Sequence, residues 1–93
     1  MWPFSGSKHK GRELVANGAL LLDVRTPDEF RDRHLDGANN IPVQELASRV
    51  GELGARDRPI VVYCRSGARS ASAATLLKSA GYEVLDIGGM GNW

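Results

Sequence analysis

Two short apolar runs constrain this chain more than any other feature. Ala19-Leu20-Leu21-Leu22-Asp23-Val24 and Pro59-Ile60-Val61-Val62-Tyr63-Cys64 are almost continuously hydrophobic, without alternation between apolar and polar positions. A strand with one wet face alternates, so a short run that does not alternate fits a strand covered on both faces. The second run is also rich in β-branched residues, which suit a pleated surface. Covering both faces takes helices, and helical patterns stand between and beyond the runs. The expected fold is therefore α/β, a small parallel sheet of about four to five strands flanked by helices on both faces, with right-handed crossovers.

The remaining elements follow from local signals. Residues 13–16 read as a short helical turn closed by Asn17-Gly18. Thr26-Pro27-Asp28-Glu29 carries the marks of a helix start: a capping threonine, proline at the first helical position and a capping-box acid. Phe30 is expected to turn inward from that helix. Residues 39–42 read as a turn into a second helix, on which Val43, Leu46, Ala47 and Val50 form one apolar stripe. A third helix is expected over residues 68–80, with Ala73, Leu76, Leu77 and Ala80 inward and Gly81 as its stop. Residues 83–87 read as the last strand.

At 93 residues the chain lies far below the roughly 250 at which cores divide, so one domain is expected over residues 11–93. Residues 1–10 read as a loosely ordered arm. They lack the apolar stretch of a secretory signal, which predicts a cytoplasmic location. Twelve Lys plus Arg against eleven Asp plus Glu leave a net charge of +1, without the basic excess of a nucleic-acid or membrane binder, and neither partner is expected. No apolar run approaches the ~20 residues that span a bilayer. The single cysteine, Cys64, excludes an internal disulfide, and with only two histidines no structural zinc or other metal is expected.

That lone thiol stands where chemistry is easiest to build. Cys64-Arg65-Ser66-Gly67-Ala68-Arg69 follows a buried strand and opens a helix, at the carboxyl end of the sheet where α/β folds bind ligands. Unpaired amides at a helix start and in a turn make a concave nest for an anion. Arg65 and Arg69 add two permanent charges, Ser66 offers a hydroxyl and Gly67 frees the backbone. All of these favour thiolate over thiol. A cysteine near pKa 8.5 is about 3% ionised at pH 7, and one shifted to about 6.5 is roughly three-quarters ionised, a difference of about 2.7 kcal/mol. Cys64 is expected to be an activated nucleophile. A buried, inert cysteine is the plainer alternative, and the two arginines and the glycine beside it argue against that.

The chain is similar, over about residues 12–93, to the rhodanese family of sulfurtransferases. Leu22-Asp23-Val24-Arg25 with Pro27, Glu29 and Phe30 looks like the family's first strand and turn. His34 to Pro42 looks like its HI-x-GA-x-NIP segment, with Arg33 where many members have glycine. Residues 64–70 resemble the catalytic loop, and residues 81–93 its closing segment. The resemblance implies a thiosulfate-type reaction. Cys64 would take sulfane sulfur from a small anionic donor as a persulfide and pass it to cyanide or a thiol, with residues 65–69 as the anion-binding loop and no cofactor. Asp23, Arg25 and Glu29 are expected to brace the turns near the loop rather than to form an acid-base set, and His34 to be scaffold.

Two other functions compete. Cysteine phosphatases and arsenate reductases typically place five residues between Cys and Arg after a histidine, whereas here four separate Cys64 from Arg69 and Tyr63 precedes. A sulfur-relay or interaction module acting on a protein partner would use the same loop.

Overall fold

The computed structural model describes residues 9–93. In chain order it forms α1 (Lys10–Ala16), β1 (Leu20–Asp23), α2 (Pro27–Asp32), β2 (Asn39–Asn40), α3 (Val43–Arg49), β3 (Ile60–Cys64), α4 (Ala68–Ser79) and β4 (Val84–Gly89), with 3-10 turns at Val50–Leu53 and Met90–Asn92. The four strands are all parallel, in the order β2-β1-β3-β4.

The unbroken apolar runs become the two central strands. All five residues of β3 are buried, and alternate side chains feed two separate cores. Ile60, Val62 and Cys64 join Leu22, Leu46, Leu53, Ala73 and Leu77 on the face covered by α3 and α4. Val61 and Tyr63 join Leu14 and Leu21 on the face covered by α1. Helices thus cover both faces.

Several local expectations shift. Asn39–Asn40, read as a turn, is a two-residue strand that pairs with β1. Its polar residues carry no apolar signal, and its Asn40 side chain ties it in by donating to the carbonyls of Asp23 and Arg25, both at 3.0 Å. Ala47 is exposed, and Leu53, in the 3-10 turn that follows the helix, is buried in the core. Phe30 is half-buried on the surface, stacked on His34 with ring centroids 3.7 Å apart. The first helix begins at Lys10, inside the segment read as an arm, and residues 1–8 of that segment lie outside the described residues.

The last strand carries an irregularity that shapes the site. Val62 pairs with Asp86 but Tyr63 pairs with Gly88, so Ile87 is passed over in the register. Gly88 turns through a positive φ of 76° and its N–H donates to the Asp86 carboxylate at 2.8 Å. The skip brings Gly89 opposite Cys64. A Cβ on Gly89 would lie 2.6 Å from the Arg65 carbonyl oxygen, so only glycine lets β4 approach the loop this closely.

Candidate active site around Cys64

β3 ends at Cys64, the backbone turns through residues 65–67, and α4 starts behind Gly67, which adopts a left-handed φ of 106°. That turn aims the free amides of the helix start back at the sulfur. The Gly67 N–H donates to Cys64 Sγ at 2.9 Å. The Ser70 hydroxyl oxygen lies 3.4 Å from the sulfur and also 3.1 Å from the Gly67 carbonyl, to which it donates when the cysteine is a thiol. Cys64 and Ser70 are both fully buried.

Burial is the largest single influence on the Cys64 thiol and pushes its pKa up. The Ser70 hydroxyl and the amides of Ser70, Gly67 and Ser66 together outweigh it and hold the thiol below its ordinary value. The expected lowering is present, but its main source is not the arginines. Arg69 turns away to Glu29, donating from Nη1 to Oε1 at 2.6 Å and from Nη2 to Oε2 at 3.1 Å. Arg65 is exposed on the rim. Ser70, which lies in the loop resemblance over residues 64–70 but outside the expected anion-binding residues 65–69, outweighs both guanidiniums.

Glu29 works in two places. Its carboxylate accepts from Arg69 and, through Oε1, from the Thr26 N–H at 3.0 Å, while its own N–H donates to Thr26 Oγ1 at 3.2 Å, completing the capping box of α2. The Arg69 bond, followed by the Thr26 bond, lowers its pKa to about 2.

Asp23 and Arg25 form a buried pair. Arg25 Nε donates to both Asp23 carboxylate oxygens at 3.0 Å and Nη2 to Oδ2 at 2.6 Å. Nη2 also donates to the Arg33 carbonyl at 2.6 Å, and the guanidinium lies 5.7 Å from the Tyr63 ring centroid. The Tyr63 hydroxyl in turn accepts the Leu35 N–H at 3.1 Å. Desolvation pushes that phenol up to about 12. These links anchor the 33–35 segment to the ends of β1 and β3. His34 is exposed, its Nδ1 donating to the Phe30 carbonyl at 2.7 Å, which leaves it in the surface scaffold.

Beside the loop lies an open cavity of about 410 Å3. Arg25, Glu29, Asp32, Arg33 and Arg65 line it, together with Met90 and Gly91. Cys64 is not on its wall; the adjacent Arg65 is. Among the described residues no group of three or more His, Cys, Asp or Glu could hold a metal ion, and no helix is long and apolar enough to cross a membrane.

The model of the rhodanese-like domain matches residues 7–93. A sulfurtransferase of Allochromatium vinosum is 41% identical over 76 residues, covering 80% of this chain and 70% of that protein. The thiosulfate sulfurtransferase PspE of Escherichia coli is 34% identical, covering 74% and 68%. The chain spans less of two other curated relatives, 60% and 37% of their lengths. Among solved structures, a rhodanese with anions from E. coli superposes with a TM-score of 0.74 at 31% identity, covering 81% of this chain and 91% of that one.

Proposed function

This chain belongs to the rhodanese-like domain family, and from that premise we propose that it transfers sulfane sulfur from a thiosulfate-type dianion to a thiol or cyanide through a persulfide on Cys64. The observation that carries the reading is the pair of polar groups set against one sulfur: the Gly67 N–H, which donates to it at 2.9 Å, and the Ser70 hydroxyl at 3.4 Å, which accepts from the thiol and can turn to donate to a thiolate. Donors fixed before the reaction hold negative charge without reorganising, whether it rests on the thiolate or on a persulfide. The names of the two sulfurtransferase relatives support the same reaction class.

In the first step the Cys64 thiolate attacks the outer sulfur of the donor. The donor S–S bond breaks, sulfite leaves with the electron pair, and Cys64 keeps the transferred sulfur. In the second step an acceptor thiolate or cyanide attacks that outer sulfur, and the electron pair returns to Cys64. No second thiol exists in this sequence to resolve the persulfide, so it persists until an outside acceptor arrives. Ping-pong kinetics follow. We place the reaction in the cytoplasm, where thiols stay reduced.

The test is incubation with thiosulfate, followed by intact mass and by thiocyanate release on adding cyanide. The wild type should gain the mass of one sulfur atom and release thiocyanate, and Cys64→Ser should do neither. A wild type that gains no sulfur overturns the reading. Hydrolysis of an aryl phosphate that is lost in Cys64→Ser would establish phosphatase chemistry instead.

A further inference from the structure

The charges lining the cavity beside the loop do not cancel. Arg25 is neutralised by Asp23, and Glu29 by Arg69. What remains on the wall is the Asp32 carboxylate and two guanidiniums, Arg33 and Arg65, which make no ion pair among the described residues. All three are exposed, and the excess is positive.

Arg33 holds a particular place among them. Its carbonyl accepts Arg25 Nη2 at 2.6 Å, which ties its backbone to the buried Asp23–Arg25 pair. The residue borders the cavity of about 410 Å3 and also a neighbouring hollow of about 290 Å3, and Met90 and Gly91 border both. It comes from the segment after α2, whereas Arg65 comes from the loop after β3. Two cations from separate segments thus line one hollow.

The hollow is too large for the donor alone. Small-molecule sites run from about 300 to 1,000 Å3, and a tetrahedral dianion fills a small part of that. In a ping-pong reaction the same opening also receives the acceptor.

We propose that this cavity takes the sulfur acceptor as a small thiol bearing carboxylate groups, and that Arg33 is the residue that selects it, with Arg65 as the second cation. The proposal rests on the sulfur-transfer reading above. A guanidinium offers a planar fork that matches a carboxylate, so anionic acceptors gain over neutral ones of the same nucleophilicity. The bound thiolate attacks the outer sulfur of the Cys64 persulfide. An S–S bond forms on the acceptor, the bond to Cys64 breaks, and its electron pair restores the Cys64 thiolate, so the step needs no added oxidant or reductant.

Two measurements test it. The first needs no sulfur chemistry: the rate of Cys64 alkylation by iodoacetate is divided by the rate with iodoacetamide. Arg33→Gln should lower that ratio about twofold to fivefold, the range for exposed charge pairs. Arg33→Lys should restore part of it, and added salt should shrink the wild-type ratio. The second loads the persulfide with thiosulfate and follows single-turnover discharge to mercaptosuccinate and to 2-mercaptoethanol at matched thiolate concentration. Wild type should prefer mercaptosuccinate, and Arg33→Gln should lose that preference by a similar factor. Equal discharge to both thiols by wild type, or ratios untouched by Arg33→Gln in a variant with native circular dichroism, would overturn the proposal. A protein that never loads sulfur would overturn the parent reading instead, with the alkylation ratio still reporting whether Arg33 recruits anions.

Discussion

Glu29 and Arg69 stand forty positions apart in sequence and meet through two parallel hydrogen bonds, at 2.6 and 3.1 Å. The contact joins the first turn of α2 to the first turn of α4, and so ties the end of β1 to the loop that carries Cys64.

That pairing sets an acid limit. The Glu29 carboxyl is held at about 2, against an ordinary value of 4.5. A carboxyl with a depressed folded-state pKa adds stability that is complete above the unfolded value and lost as pH falls through the folded one. The wild type should therefore lose stability between about pH 4.5 and 2 faster than Glu29→Gln, which keeps a capping-box amide. Urea midpoints across that range measure it, and parallel curves for the two proteins would refute it.

Ser70 governs the thiol. Ser70→Ala removes a hydroxyl that holds the Cys64 pKa down, so the pKa should rise, and sulfur transfer should fall more near pH 6 than near pH 9. Arg69→Ala should shift the same titration less, since its guanidinium is engaged with Glu29. Ultraviolet absorbance of the thiolate against pH reads both. A larger shift in Arg69→Ala than in Ser70→Ala would restore the arginines as the main cause.

Asp23→Asn should be among the most damaging single changes outside the loop. It leaves the Arg25 charge buried without its carboxylate, a loss of about 3–5 kcal/mol, against a total of about 5–15 kcal/mol for a domain. Asp23→Asn combined with Arg25→Met should cost less than the sum of the two single changes. Chemical denaturation of all four proteins completes the cycle, and strict additivity would deny the coupling.

Gly89→Ala places a methyl 2.6 Å from the Arg65 carbonyl oxygen, a backbone atom with little freedom to give way. Overpacking of that kind costs about 1–3 kcal/mol, and because the loop must move to relieve it, persulfide formation should fall as well. Gly51→Ala, which meets nothing within 4 Å, is the control and should change stability by under about 0.5 kcal/mol. Equal effects in the two variants would remove the steric account.

Much of this was readable from the chain because it is local. The two apolar runs became the central strands, and Thr26, Pro27 and Glu29 formed the cap that their spacing predicts. The position of Cys64 between a strand end and a helix start was equally plain. What escaped depended on distant partners or on side-chain direction. Glu29 and Arg69 each have a clear local meaning, but nothing in sequence shows that one neutralises the other. Arg69 reads as a charge aimed at sulfur because it is near in sequence, yet its guanidinium is committed to Glu29. Ser70 falls within the loop resemblance, but its contact with the sulfur emerges only when the fold buries it against Cys64. Asn39–Asn40 is too short and too polar to signal a strand.

The skipped residue in β4 makes the site depend on counting. With Ile87 passed over, Gly88 and Gly89 fall opposite Tyr63 and Cys64. Were the ladder to run on from Asp86 without the skip, Ile87 would fall opposite Tyr63, Gly88 opposite Cys64 and Gly89 one step beyond the thiol. The residue that must lack a side chain would then no longer face the Arg65 carbonyl. The irregularity is therefore part of the candidate site. Loss of Ile87 would close it with both glycines still opposite Tyr63 and Cys64, so the site should tolerate that deletion better than a residue added between Gly88 and Gly89.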